Sequence, residues 1–217
     1  MLSLKLSIAA PTCKPYGRET AQENSRNQSE NHLLSIFSGF QAYDPALLWP
    51  MSEENKPGNL ADPAVILATW FGAGHLPKAP GTWGSLAALP FAWVLQAADG
   101  WPGLAIGIVI CFGVGIWASN GYIDAIGGED PAPVVIDEVA GQWLTLLPAA
   151  YLMPGGPDWR VYIIGFVLFR LFDVIKPWPI SWADRTIKGG LGIMLDDILA
   201  AIFGAVILGG IIHWGVL

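Results

Sequence analysis

Five carboxylates in this chain occupy positions where carboxylates are expensive. Asp137 and Glu138 stand side by side in "VVIDEVAG", Asp173 lies in "FRLFDVIKPWPI" three residues before Lys176, and Asp196 and Asp197 head the apolar run of "GGLGIMLDDILAAIFGAVILGG". An acid carried into hydrocarbon costs several kcal/mol unless it is paired, protonated or bound to a cation. Neighbours on a helix point about 100° apart, so at least one of Asp196 and Asp197 faces inward. Carboxylates without accompanying His or Cys suit a hard cation. Mg²⁺ prefers oxygen ligands, keeps several waters, and is held by a few carboxylates together with substrate phosphate. Each acid also has a plainer explanation. Asp137 and Glu138 can simply complement a helix dipole, and Asp173 can pair with Lys176 or Arg170 on one helix face. The joint occurrence of five acids at helix ends on one face is what favours a cation site.

A second stretch, "GAGHLPKAPGTWGSLAALP" at 72–90, offers donors rather than acceptors. Gly72, Gly74, Gly81, Gly84, Pro77 and Pro80 lead to the expectation that no regular helix forms before Ser85. Gly-rich backbone entering a helix N-terminus presents free N–H groups to an anion, and Lys78, Thr82 and Ser85 add side-chain donors. The alternative is a membrane-surface loop capped by Thr82 or Ser85. It is not a Walker loop, because no Gly-Lys-Ser/Thr ending is present.

The elements that must position these groups are apolar. Of 217 residues, 53% are hydrophobic and 13% charged, with 11 Trp, more than a soluble domain of this size usually carries. The composition predicts an all-α, polytopic membrane bundle of four to five helices, some short or re-entrant, at about 86–98, 102–119, 139–153, 161–175 and 197–217. Threaded alternately, these put the segments 120–138 and 174–196 on the side of the loop before 86. Lys78, Lys176, Arg185 and Lys188 lie on that side against Arg160 opposite, so the positive-inside tendency makes it cytoplasmic. Trp178 and Trp182 suit the aromatic belt at that level. A net charge of −7 argues against a nucleic-acid partner. Cys13 and Cys111 lie too far apart in character to suggest a disulfide framework, and the histidines offer no zinc site; His75 alone sits near the acids, as a conceivable proton donor. Residues 1–50 read as a polar, disordered extension, with Met51 as an alternative start, and 51–217 as the membrane-embedded domain.

Taken in order, "PKAPGTWGSLAALP", "VVIDEVAG", "FRLFDVIKPWPI" and "GGLGIMLDDILAAIFGA" resemble the phosphatidylglycerophosphatase A family, over about Asp62 to Gly209. The resemblance implies a multi-pass enzyme of the bacterial inner membrane, active on its cytoplasmic face in glycerophospholipid biosynthesis. The implied reaction is Mg²⁺-dependent hydrolysis of the phosphate monoester of phosphatidylglycerophosphate to phosphatidylglycerol and phosphate. It further implies that Asp137, Glu138, Asp173, Asp196 and Asp197 bind metal and activate water, while Lys176 and the loop with Lys78, Gly81, Thr82, Gly84 and Ser85 hold the phosphate. Attack by water and a covalent aspartyl-phosphate on Asp173 or Asp137 both stay open, the absence of a DxDx arrangement mildly favouring water. From a different class, a non-enzymatic ion-binding or small transport protein would also carry intramembrane acids, but scattered near the midplane.

Overall fold

In the computed structural model residues 61–216 are described, and every regular element among them is helical. Residues 1–50 and Met51, which bear the expected extension and alternative start, lie outside the described residues.

The first helix, α1 (Pro63–Ala68), opens on a proline pre-set for the first helical position, and the Asp62 carboxylate caps it by accepting from the Ala64 N–H at 2.8 Å. It stops where Trp70, Phe71 and Gly72 all take positive φ. The N–H groups of this turn are still satisfied: Phe71 donates to the Ile66 carbonyl, Gly74 to the Thr69 carbonyl, and Gly72 to the Thr69 hydroxyl. Trp70 then stacks edge-on against both Phe91 and Trp143.

Helix α2 (Pro80–Ile126) differs from expectation at its start, because it is regular from Pro80 onward rather than from Ser85. Pro80 initiates it, and the glycines serve packing instead of breaking it. A Cβ on Gly84 would come within 2.7 Å of Val135 Cβ, and one on Gly81 would overlap the Glu138 carboxylate. The helix bends at Gly100, with φ 65° and ψ −151°, followed by Pro102. The apolar segments near 86–98 and 102–119 thus lie in two separate helical arms that meet where Gly100 leaves helical geometry.

Three further long helices complete the bundle: α3 (Ile136–Leu152), α4 (Trp159–Ile175) and α6 (Gly189–His213), with the short α5 (Ile180–Thr186) between the last two. Helix α3 lies at the centre, packed on α2 and α6. Small residues make the close approaches. Gly165 meets Leu146, Gly204 meets Thr145, and Gly115 meets the Met194 side chain, each where a side chain would hold the helices apart. Outward positions are apolar instead: Val109, Val206 and Ile106 are 72%, 70% and 61% exposed. Among the described residues two helices, Pro80–Ile126 and Gly189–His213, are long and apolar enough to cross a membrane.

The consequence for function is a segregation of ends. α2 begins, α3 begins, α4 ends and α6 begins around one cavity, whereas the 154–157 connection meets Gln96, Ala97 and Tyr162 at the opposite end.

Candidate active site

A cavity of about 560 Å³ occupies the first of these ends. Its walls come from the start of α2 (Ala79, Pro80, Gly81), the loop 129–134, the first turn of α3, the last turn of α4, α5 and the first two turns of α6. Eight acidic and four basic side chains line it, so pairing with the basic groups alone does not offset the acids.

The acids sort into two groups. Asp137, Glu138 and Asp197 each bring one carboxylate oxygen into a cluster whose members lie within 4.8 Å of one another. Asp137 Oδ1, Glu138 Oε2 and Asp197 Oδ2 are buried without a hydrogen-bond donor. Local folding explains the convergence. Asp137 and Glu138 fall in the first turn of α3, and Gly141 one turn on lets α3 approach the Asp197 carbonyl closely. Three oxygen donors from carboxylates, unpartnered and out of water, fit a hard divalent cation by donor chemistry.

The second group is already paired. Arg170 Nη1 lies 2.5 Å from Asp173 Oδ2 and 3.8 Å from Glu138 Oε1. Lys176 Nζ lies 2.6 Å from both Asp184 Oδ1 and Asp196 Oδ2. Burial opposes the charge on Lys176, but its hydrogen bonds to Asp184 and Asp196 outweigh that cost and raise its pKa, so it stays an ammonium. A cation-competent floor thus sits beside two fixed positive groups able to meet an anion. At the rim, Lys188 and Glu129 pair at 3.0 Å.

All five predicted carboxylates line this cavity, and both Asp196 and Asp197 are buried, at 6% and 3% exposure. Asp173 and Lys176 do not pair with each other: Lys176 leaves the helix with φ 44° and turns toward α5 and α6. Of the predicted anion loop, Gly81 lines the cavity and Lys78, Thr82, Gly84 and Ser85 do not. Lys78 is exposed, and the Ser85 hydroxyl donates back to the Gly81 carbonyl at 2.8 Å, as a helix-interior serine does. His75 is also absent from the lining; burial lowers its pKa. Asp184 is the member that sequence reasoning did not single out. Its partner stands eight residues earlier across Pro177 and Pro179, a separation with no periodic signature.

Carboxylate oxygens able to take a hard cation, next to an arginine and a lysine held in ion pairs, could serve a helical phosphohydrolase. The sequence profile of phosphatidylglycerophosphatase A matches residues 66–212, and the chain belongs to that family; it is a phosphoric monoester hydrolase. It is 40% identical over 149 residues to phosphatidylglycerophosphatase A of Escherichia coli (strain K12), covering 69% of this chain and 83% of the relative. The Haemophilus influenzae protein of the same name is 35% identical over 166 residues, covering 76% and 99%. A Bacteroides thetaiotaomicron protein provisionally named a phosphatidylinositol-3-phosphatase is 37% identical over 155 residues, covering 66% and 90%. No solved structure matches the chain.

Proposed function

We propose that this protein hydrolyses the phosphate monoester of phosphatidylglycerophosphate to phosphatidylglycerol and inorganic phosphate, with Mg²⁺ as cofactor, as a step of glycerophospholipid synthesis. The observation that carries the reading is the trio of unpartnered oxygens on Asp137, Glu138 and Asp197 at the floor of a cavity walled by Arg170 and Lys176. The names of the relatives from Escherichia coli and Haemophilus influenzae supply the substrate. A lipid monoester keeps its chains in the bilayer and its headgroup at the interface, which a cavity at helix ends can reach.

Asp137, Glu138 and Asp197 are the proposed cation ligands, with Asp173 and Asp196 holding Arg170 and Lys176 in place. When bound, Mg²⁺ would withdraw charge from the phosphoryl oxygens and make a nearby water more acidic. Arg170 and Lys176 orient the phosphoryl group and offset its charge. A cavity carboxylate accepts the proton of the attacking water as the P–O bond to the glycerol breaks, and that proton passes on to the departing alkoxide, leaving the carboxylate as it began. We read water as the nucleophile because Asp173, one of the alternatives, is engaged by Arg170. In the same reading both arms of α2 together with α3, α4 and α6 cross a bacterial inner membrane. The cavity end faces the cytoplasm, in keeping with Lys78, Arg185 and Lys188 there and Arg160 at the other end.

The test is phosphate release from phosphatidylglycerophosphate in detergent, with and without Mg²⁺, for wild type, Asp197→Asn and Asp173→Asn. Wild type should require Mg²⁺, Asp197→Asn should lose about a hundredfold or more, and Asp173→Asn, which frees Arg170, about tenfold. Full activity in both variants would contradict the assignment.

A further inference from the structure

Lys176 is a long, flexible cation, and a flexible ammonium beside a carboxylate cluster would be drawn into the cluster and compete with a metal ion. Two features stop this. Its backbone caps α4 in the left-handed region, φ 44°, which turns it away from the helix axis. Its Nζ is also held from two sides, by Asp196 on α6 and by Asp184 on α5, at 2.6 Å each. An ammonium has three N–H donors, so two such bonds leave one for a phosphoryl oxygen at a cavity wall to which Lys176 itself contributes. Helix α5 is anchored in the core. Ile180 and Ala183 are fully buried, Ile180 within a small core with Phe169, Ala200 and Ala201, while Asp184 lines the cavity. Asp184 also stands outside the carboxylate trio suited to a cation.

We propose that Asp184 is a positioning residue, which holds the Lys176 ammonium at the cavity wall and away from the cation ligands so that it engages the substrate's phosphate. The inference rests on reading the cavity as a phosphate-monoester site. It adds that α5, a helix of seven residues, is part of the binding apparatus through a single side chain.

A double-mutant cycle on the full chain in detergent tests it, using Asp184→Asn, Lys176→Met and the double variant, with Asp184→Glu as the conservative rescue. Two readouts are taken: KM and kcat on phosphatidylglycerophosphate, and the Kd of inorganic phosphate by calorimetry. Asp184→Asn should raise KM and the phosphate Kd about tenfold, with kcat changed less than about threefold. Asp184→Glu should recover most of the loss. In the Lys176→Met background, Asp184→Asn should add nothing further. Additive losses, or unchanged KM and Kd in Asp184→Asn, would overturn the proposal. If the Asn variant does not accumulate, Asp184→Ser carries the same cycle. A wild-type protein that binds phosphate but does not turn over phosphatidylglycerophosphate would remove the substrate assignment while the phosphate cycle still decides the role of Asp184.

Discussion

The two ends of this bundle are made from the same helices and differ in what they bury. At the cavity end, Asp137, Asp196 and Asp197 are at most 9% exposed, and three carboxylate oxygens have no donor. At the other end a smaller cavity of about 230 Å³ is lined by Trp93, Gln96, Ala97, the 154–157 turn and Tyr162. Its polar groups satisfy each other, with the Tyr162 hydroxyl donating to Gln96 Oε1 at 3.0 Å, and its ion pair, Arg160 with Asp158, is loose and exposed. A folded chain pairs its buried polar groups wherever nothing requires otherwise. The end that keeps carboxylate oxygens unpartnered is the one we propose for the chemistry.

That contrast is sharpest for the cation ligands. Glu138→Gln and Asp137→Asn should each lower kcat by about a hundredfold or more, while thermal unfolding without Mg²⁺ occurs at the wild-type temperature or higher, because like-charge repulsion is relieved. A large loss of stability alongside the loss of activity would make these acids structural. Next in size is a pair of glycines on the same helix. A side chain on Gly81 overlaps the Glu138 carboxylate, whereas Gly113 has open space around its Cβ position. Gly81→Val should reduce turnover at least about tenfold, and Gly113→Ala should leave it unchanged. Arg170→Met should raise KM about tenfold by removing one anion contact and releasing Asp173. Smallest are the changes at the far end. Gln96→Leu should cost about 1 kcal/mol of stability by orphaning the Tyr162 hydroxyl, Asp158→Asn about 0.5 kcal/mol or less, and both should keep activity within about twofold. A far-end variant that abolished activity would break the comparison.

The acids were legible in the sequence because an apolar run makes each carboxylate conspicuous, and helical geometry alone required one of Asp196 and Asp197 to turn inward. The all-helical class followed from the same runs. Pairing was not legible. Lys176 sits three residues from Asp173 and reads as its partner, yet Pro177 ends the helix and the left-handed turn at Lys176 redirects it to Asp184 and Asp196. Gly81 and Gly84 misled for a related reason. Glycine reads as a helix breaker in water, but in a tightly packed bundle it marks where another element must come close, here Glu138 and Val135. Ser85 reads as an anion donor only in a loop; with the stretch helical from Pro80 its hydroxyl donates within its own helix, while Lys78, in the bend before Pro80, is exposed and off the cavity lining.

The central claim is that Asp137, Glu138 and Asp197 hold the cation on which phosphate release depends. A Mg²⁺ titration of phosphate release from phosphatidylglycerophosphate, run on chelator-treated wild type and Glu138→Gln, tests it most directly. The predicted result is no release without Mg²⁺ and, in Glu138→Gln, a Mg²⁺ requirement raised about tenfold or more. Undiminished release from the chelated wild type, or the same Mg²⁺ requirement in both proteins, would contradict it.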